Sequence, residues 1–210
     1  MKALKTVSES LIRDYPLISE QMTKMRLKVI LNQLSVILDK NIPGDIVEFG
    51  CYIGTTSLFI SRLIKQANSD KEFHVYDSFS GLPHKTIQDA SVAGSDFKAG
   101  ELKASKRELV RNYKKAGLKT PLIHKSWFSE INSKHLPSTI AFALLDGDFY
   151  NSIRDSLDLV WPRLDNSGII IIDDYNKSNL PGVTRAVEDF FKTEKANIVH
   201  QTDLAIITKP

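Results

Sequence analysis

Three carboxylates stand where two apolar runs end: Leu144-Leu145-Asp146 and Ile171-Ile172-Asp173-Asp174. If the runs are neighbouring strands, Asp146, Asp173 and Asp174 converge on one rim. Carboxylates that close repel unless a proton or a cation intervenes. All-oxygen donors without a thiolate select a hard cation such as Mg²⁺, completed by water and substrate oxygens. Asp148 points elsewhere by strand alternation and is assigned to structure. The plainer alternative makes Asp173 and Asp174 helix caps or solvated loop residues.

A second constellation lies earlier. Val47-Glu48-Phe49-Gly50-Cys51-Tyr52-Ile53-Gly54 ends one apolar run and leads into a helical pattern. Glycines let a backbone turn tightly and approach a ligand closely. The spacing is not G-x-G-x-x-G, so a pyrophosphate-cradling fingerprint is a poor match. Glu48 would also repel a pyrophosphate. Asp77 ends the next run, 29 residues after Glu48, where an acid can hold a ribose diol. Taken singly, the glycines read as an ordinary turn and Asp77 as a helix cap. Taken together, Glu48, Gly50, Gly54 and Asp77 point to an adenosine-bearing ligand without a pyrophosphate, and S-adenosylmethionine is the obvious candidate.

These residues need strands to carry them. Apolar runs fall at Asp45–Phe49, Glu72–Tyr76, Pro121–His124, Ile140–Leu145, Gly168–Ile172, Asn197–His200 and Leu204–Thr208. Several are apolar at consecutive positions, as strands buried on both faces of a parallel sheet must be. Helical patterns alternate with them over Ser57–Gln66, from the capping box Ser105–Glu108 to Gly117, over Asn151–Trp161 and over Val183–Phe191. This alternation predicts an open, mostly parallel α/β sheet with helices on both faces. The last two runs are separated only by Gln201-Thr202-Asp203, which predicts a closing antiparallel hairpin. Residues 1–40 read as an appended helical layer. Residues 78–104, irregular and rich in Ser, Gly, Asp and Lys, read as a lid over the site.

Composition narrows the class. The chain has 210 residues, is 42% hydrophobic and 25% charged, and carries a net charge of +3, so a single globular domain over 1–210 is expected. The one cysteine, Cys51, excludes an intrachain disulfide framework and fits a reducing cytoplasm. No apolar run approaches the ~20 residues a membrane helix needs, so no membrane insertion is expected.

The ordered set Pro43–Gly50 with Gly54, Asp77-Ser78-Phe79-Ser80-Gly81-Leu82-Pro83, Ser126-Trp127-Phe128, Leu145–Tyr150 with Ser152, Gly168–Tyr175 and Gly182–Glu188 resembles the macrocin-type O-methyltransferases. These are class I enzymes that use S-adenosylmethionine and Mg²⁺ to methylate sugar hydroxyls. The resemblance runs from about Ile42 to Phe191. It implies a seven-stranded sheet, with Glu48, Gly50 and Gly54 lining the methionine part of the cofactor and Asp77 on the ribose. It further implies Ser126 and Trp127 beside the adenine, and Asp146, Asp173 and Asp174 on Mg²⁺. Core packing is the plainer role for Trp127. The N-terminal region is shorter than in many macrolide-sugar enzymes of the family, and 84–104 follows the family only loosely. A homo-oligomer is also implied.

The expected reaction is displacement at a sulfonium methyl by a hydroxyl of a small-molecule or glycan acceptor. Asp146 is the first choice of base, with His84 and His124 as alternatives. A catechol-type enzyme places a lysine three residues after the first metal aspartate; Phe149 stands there, which favours a sugar. Lys98–Lys119 holds eight basic and two acidic residues. A solvated helix face is the simple reading, and attraction of an anionic acceptor the sharper one. An RNA methyltransferase would use that segment, but no stacking motif accompanies it, and no nucleic-acid partner is expected. A non-catalytic ligand-binding module would have no need of the aspartate triad.

Overall fold

The computed structural model describes residues 4–91 and 97–210. Among them, seven strands form one sheet: β1 (Asp45–Phe49), β2 (Phe73–Asp77), β3 (Leu122–Lys125), β4 (Ile140–Leu145), β5 (Leu164–Ile172), β6 (Asn197–Gln201) and β7 (Leu204–Thr208). Their order is β3-β2-β1-β4-β5-β7-β6. Strands β1 to β5 run parallel, and β7 is antiparallel to both β5 and β6. The predicted closing hairpin is present, with β7 inserted between β5 and β6.

Strand periodicity sorts the core into two layers. Ile46, Val75, Phe142, Leu144, Ile169 and Ile171 face one side of the sheet. There they meet α1 (Leu4–Asp14), α2 (Lys24–Asp39), α3 (Thr55–Gln66) and α4 (Lys106–Lys115). Val47, Phe49, Tyr76, Ala143, Leu145, Ile170 and Ile172 face the other side, against α5 (Tyr150–Val160) and α6 (Pro181–Phe190). Both faces are covered, which is why the strand sequences are apolar at consecutive positions.

The N-terminal layer is helical, as expected. Thr23 caps α2, its Oγ1 accepting from Arg26 N at 3.2 Å. Leu27, Ile30, Leu31, Leu34 and Ile37 form the buried stripe at helical spacing. Ser8 of α1 and Ser35 of α2 share a buried hydrogen bond of 2.8 Å.

The segment expected as a lid is pinned over its described part; its residues 92–96 lie outside the described residues. Leu82 N donates to Glu101 O at 2.8 Å and Gly100 N to Leu82 O at 2.9 Å. Asp89, in a short 3₁₀ turn, accepts from Thr86 N at 2.8 Å and from Tyr150 N at 2.7 Å. The second contact satisfies an otherwise orphaned amide at the start of α5. Among the described residues no helix is long and apolar enough to cross a membrane.

Candidate active site

The order of the sheet reverses between β1 and β4, so helices leave in opposite directions and a crevice opens at the strand ends. The glycine loop sits at one lip. Gly50 has φ +86°, and a Cβ there would lie 1.9 Å from Asp146 O, so only glycine lets the ends of β1 and β4 close up. Gly54 has φ +91° and forms the start of α3, where a Cβ would meet Leu109 Cδ1 at 2.3 Å.

Asp77 knits this lip together. Its Oδ2 accepts from Cys51 N at 2.9 Å and Tyr52 N at 3.3 Å, and its Oδ1 from Phe79 N at 2.7 Å. Oδ1 keeps a further acceptor site, and the residue lines the main cavity. Glu48 lies beneath the loop, 1% exposed, accepting from Ser57 Oγ. Burial pushes its carboxyl up to about 8, the Ser57 hydroxyl opposing and the Asp146 and Asp77 charges adding to the rise.

The facing lip is acidic. One carboxylate oxygen from each of Asp146, Asp148 and Asp174 lies within 4.8 Å of the others. Asp173, expected in that set, is not within that group, although it lines the same cavity. Arg26 Nε donates to Asp173 Oδ1 at 2.9 Å, and Nη2 donates to Asp173 Oδ2. The same Nη2 reaches Asp174 Oδ1 at 2.9 Å, and Lys177 Nζ lies 2.5 Å from that oxygen. The guanidinium and both aspartates are buried. Burial raises the carboxyls of Asp146 and Asp148; Asp174 pushes Asp146 further, and Asp146 then Asp174 push Asp148.

Asp148 joins the cluster for a backbone reason. Strand β4 ends at Leu145, so alternation no longer governs residue 148, and its φ of +59° turns the side chain back to the crevice. Asp174 has φ +59° as well, which lets two adjacent aspartates address one site. The sequence offered one signal for Asp148, the Asp-Gly-Asp spacing, and one for Arg26, a cation abutting the apolar stripe of α2. Neither Asp146 nor Asp148 has an ion pair among the described residues. Fully ionised, four aspartates against Arg26 and Lys177 would carry two net negative charges, the complement of one divalent cation. An all-oxygen donor set of this kind fits Mg²⁺.

Both lips open into one cavity of about 400 Å³, a usual size for a small-molecule site. Gly50, Asp77, Trp127, Asp146, Asp173 and Asp174 line it, as do Arg26, Phe128, Asp148 and Lys177, which sequence reasoning did not place there. Glu48, Gly54 and Ser126 do not line it; Ser126 borders a smaller neighbouring hollow. His84 is at the cavity, whereas His124 stacks on Tyr76, 4.5 Å between ring centroids, beside that smaller hollow.

A glycine loop after the first strand, an acid closing the second and a sheet that ends in an antiparallel hairpin are the marks of the Rossmann-like class I methyltransferase fold. The relationship is closer than fold alone: residues 3–206 match the macrocin-O-methyltransferase (TylF) family, and the chain belongs to it. It is 30% identical over 172 residues to the 8-demethyl-8-(2,3-dimethoxy-alpha-L-rhamnosyl)-tetracenomycin-C 4'-O-methyltransferase of Streptomyces olivaceus, covering 78% of this chain and 65% of that protein. It is 29% identical over 186 residues to the mycinamicin III 3''-O-methyltransferase of Micromonospora griseorubida, covering 84% and 72%. Among solved structures, the O-methyltransferase NovP superposes with a TM-score of 0.77 at 24% identity, over 98% of this chain and 88% of that one. The match thus spans just under two thirds of the tetracenomycin enzyme's length.

Proposed function

We propose that the protein transfers the methyl group of S-adenosylmethionine to a hydroxyl of a sugar or glycosylated small molecule, with Mg²⁺ at the acidic lip. The observation that carries this reading is the single cavity joining Asp77 and the glycine loop to carboxylates without an ion pair among the described residues. The sugar acceptor is supported by the relatives' names, which specify a rhamnosyl-tetracenomycin and mycinamicin III.

Asp77 would accept from a ribose hydroxyl with the acceptor site left on Oδ1, and Trp127 would border the adenine. The cofactor is cationic, and a cation near Glu48 would draw off the proton that burial retains there. Asp146, Asp148 and Asp174 would hold Mg²⁺; Asp173 would join only by releasing Arg26. Mg²⁺ would polarise an acceptor hydroxyl and lower its pKa. S-adenosylmethionine would supply an electrophilic methyl, the new carbon–oxygen bond forming as the carbon–sulfur bond breaks and its electron pair goes to sulfur. The hydroxyl proton passes to the Asp146–Asp148 pair, Asp146 being the first choice. Holding oxygen, methyl and sulfur in line supplies up to ~7–11 kcal/mol of the barrier.

The test is calorimetric titration with S-adenosylhomocysteine, with and without Mg²⁺, on wild type and Asp77→Ala. Binding to wild type that the variant loses establishes the cofactor site. A panel of sugars with vicinal hydroxyls then identifies the acceptor. Wild type that binds under neither condition removes the methyltransferase reading.

A further inference from the structure

The far end of the sheet carries a second group of potential ligands. Asp45 opens β1, Glu72 directly precedes β2, and His74 is the second residue of β2. One ligand atom from each lies within 4.8 Å of the others. The run from Asp45 to Phe49 is about 13 Å at about 3.3 Å per residue, so this group is well separated from the crevice.

His74 is 8% exposed, and its Nε2 has no hydrogen-bond partner. That nitrogen lies 3.7 Å from Glu72 Oε2, too far for a hydrogen bond. Its Nδ1 is 3.3 Å from His124 Nε2, and His124 is held in turn by stacking on Tyr76. Burial holds the His74 imidazole below its usual range, so the neutral ring has one proton for two nitrogens. With that proton on Nδ1, shared with His124, a bare lone pair on Nε2 faces two carboxylates. With it on Nε2, the N–H falls short of any acceptor. Either way a buried polar atom is left unsatisfied, an arrangement native structures rarely keep.

No protein cation resolves this. Lys71, the nearest lysine in sequence, donates to the carbonyls of Ile42 and Gly44. Among the described residues neither Asp45 nor Glu72 pairs with a lysine or arginine. Asp45 is also fixed in place, its Oδ1 accepting from Glu72 N at 3.0 Å.

We propose that Asp45, Glu72 and His74 form a binding site for a divalent transition-metal ion of the zinc class, completed by water. A neutral imidazole with two carboxylates suits Zn²⁺ or Co²⁺ better than Mg²⁺, which prefers oxygen alone. Tetrahedral ligands about 2.0 Å from zinc stand about 3.3 Å apart. Glu72, with its side chain 64% exposed, can close the 3.7 Å separation freely. His124 then plays the outer part, fixing the tautomer of the ligating ring. The ion staples the start of β1 to the start of β2.

The experiment is titration of the untagged, chelator-stripped full chain with Co²⁺, in excess Mg²⁺, followed by visible d–d absorption and calorimetry. A melting curve with and without Zn²⁺ accompanies it. Wild type and Asp146→Asn should bind one Co²⁺ equivalent here, and Zn²⁺ should raise their Tm. His74→Gln and Glu72→Gln should weaken binding at least tenfold and lose the Tm rise. Should His74→Gln not fold, Glu72→Gln decides alone, since that side chain is exposed. Undiminished binding in Glu72→Gln, binding lost in Asp146→Asn, or no binding to wild type overturns the site.

Discussion

The two lips of the crevice are built from the same residue type by opposite means. At the β1–β2 lip, Asp77 is satisfied by three backbone amides of the loops beside it, all from the same half of the sheet. At the β4–β5 lip, Asp173 and Asp174 are satisfied by Arg26, a side chain from outside the sheet, and by Lys177. Backbone amides cannot be exchanged for a metal. Arginine and lysine side chains can be displaced, and among the described residues neither Asp146 nor Asp148 has an ion pair. The first lip is therefore a rigid receptor, and the second an electrostatic socket that is only partly filled.

The largest expected effect separates the lips most cleanly. Asp146→Asn should lower kcat by ~10²–10⁴-fold, the range for losing a general base, while S-adenosylhomocysteine affinity stays within about threefold. A near-normal kcat in a steady-state assay would remove the role given to Asp146. Asp77→Ala should do the reverse, weakening cofactor binding by on the order of 100-fold in calorimetry, because it removes a charged acceptor and loosens the Cys51–Tyr52 amides.

Arg26→Met probes the socket from behind. It leaves two buried carboxylates short of a partner and should cost about 3–5 kcal/mol of stability in urea unfolding. Mg²⁺ should restore more of that loss than it adds to wild type. If Mg²⁺ stabilises both equally, the contrast between a fixed and an exchangeable lip fails.

Glu48 gives a smaller, pH-dependent effect. Its carboxyl is pushed up to about 8 in the folded chain, so folding retains a proton that the unfolded chain releases near 4.5. The stability it contributes is complete below the unfolded value and drains away as pH rises through about 8. Wild-type Tm should therefore fall between pH 5 and 8, and Glu48→Gln should make that fall shallower. Least affected should be Lys114→Ala and Lys115→Ala on the exposed face of α4. They should change turnover less than twofold, and a larger rise in KM would favour the anionic-acceptor reading of that helix.

The strands and the closing hairpin were legible because burial on both faces imprints consecutive apolar residues, as in Ile169–Ile172, whereas their order in the sheet was not. The first lip was legible because Gly50 and Asp77 lie at strand ends fixed by those same runs. The second lip was only half legible. Alternation assigns Asp148 correctly only while the chain remains extended, and the left-handed backbone at 148 is invisible in a pattern of residue types. Arg26 was harder still, since an arginine beside an apolar stripe usually reaches solvent along its own stem.

The Arg26 clamp also has a consequence for how the chain is made. Arg26 and Asp173 are 147 residues apart, so α2 is synthesised long before its anions exist. At about 5–20 residues per second the ribosome takes roughly 7–30 s to cover that interval. The α1–α2 pair can form early around its buried serine contact, but its guanidinium then waits in water. The aspartates emerge after β1 to β4 and just ahead of α6, so the crevice acquires its electrostatics only once most of the sheet has been made. A nascent chain stalled before residue 173 would carry Asp146 and Asp148 but neither anion that Arg26 binds.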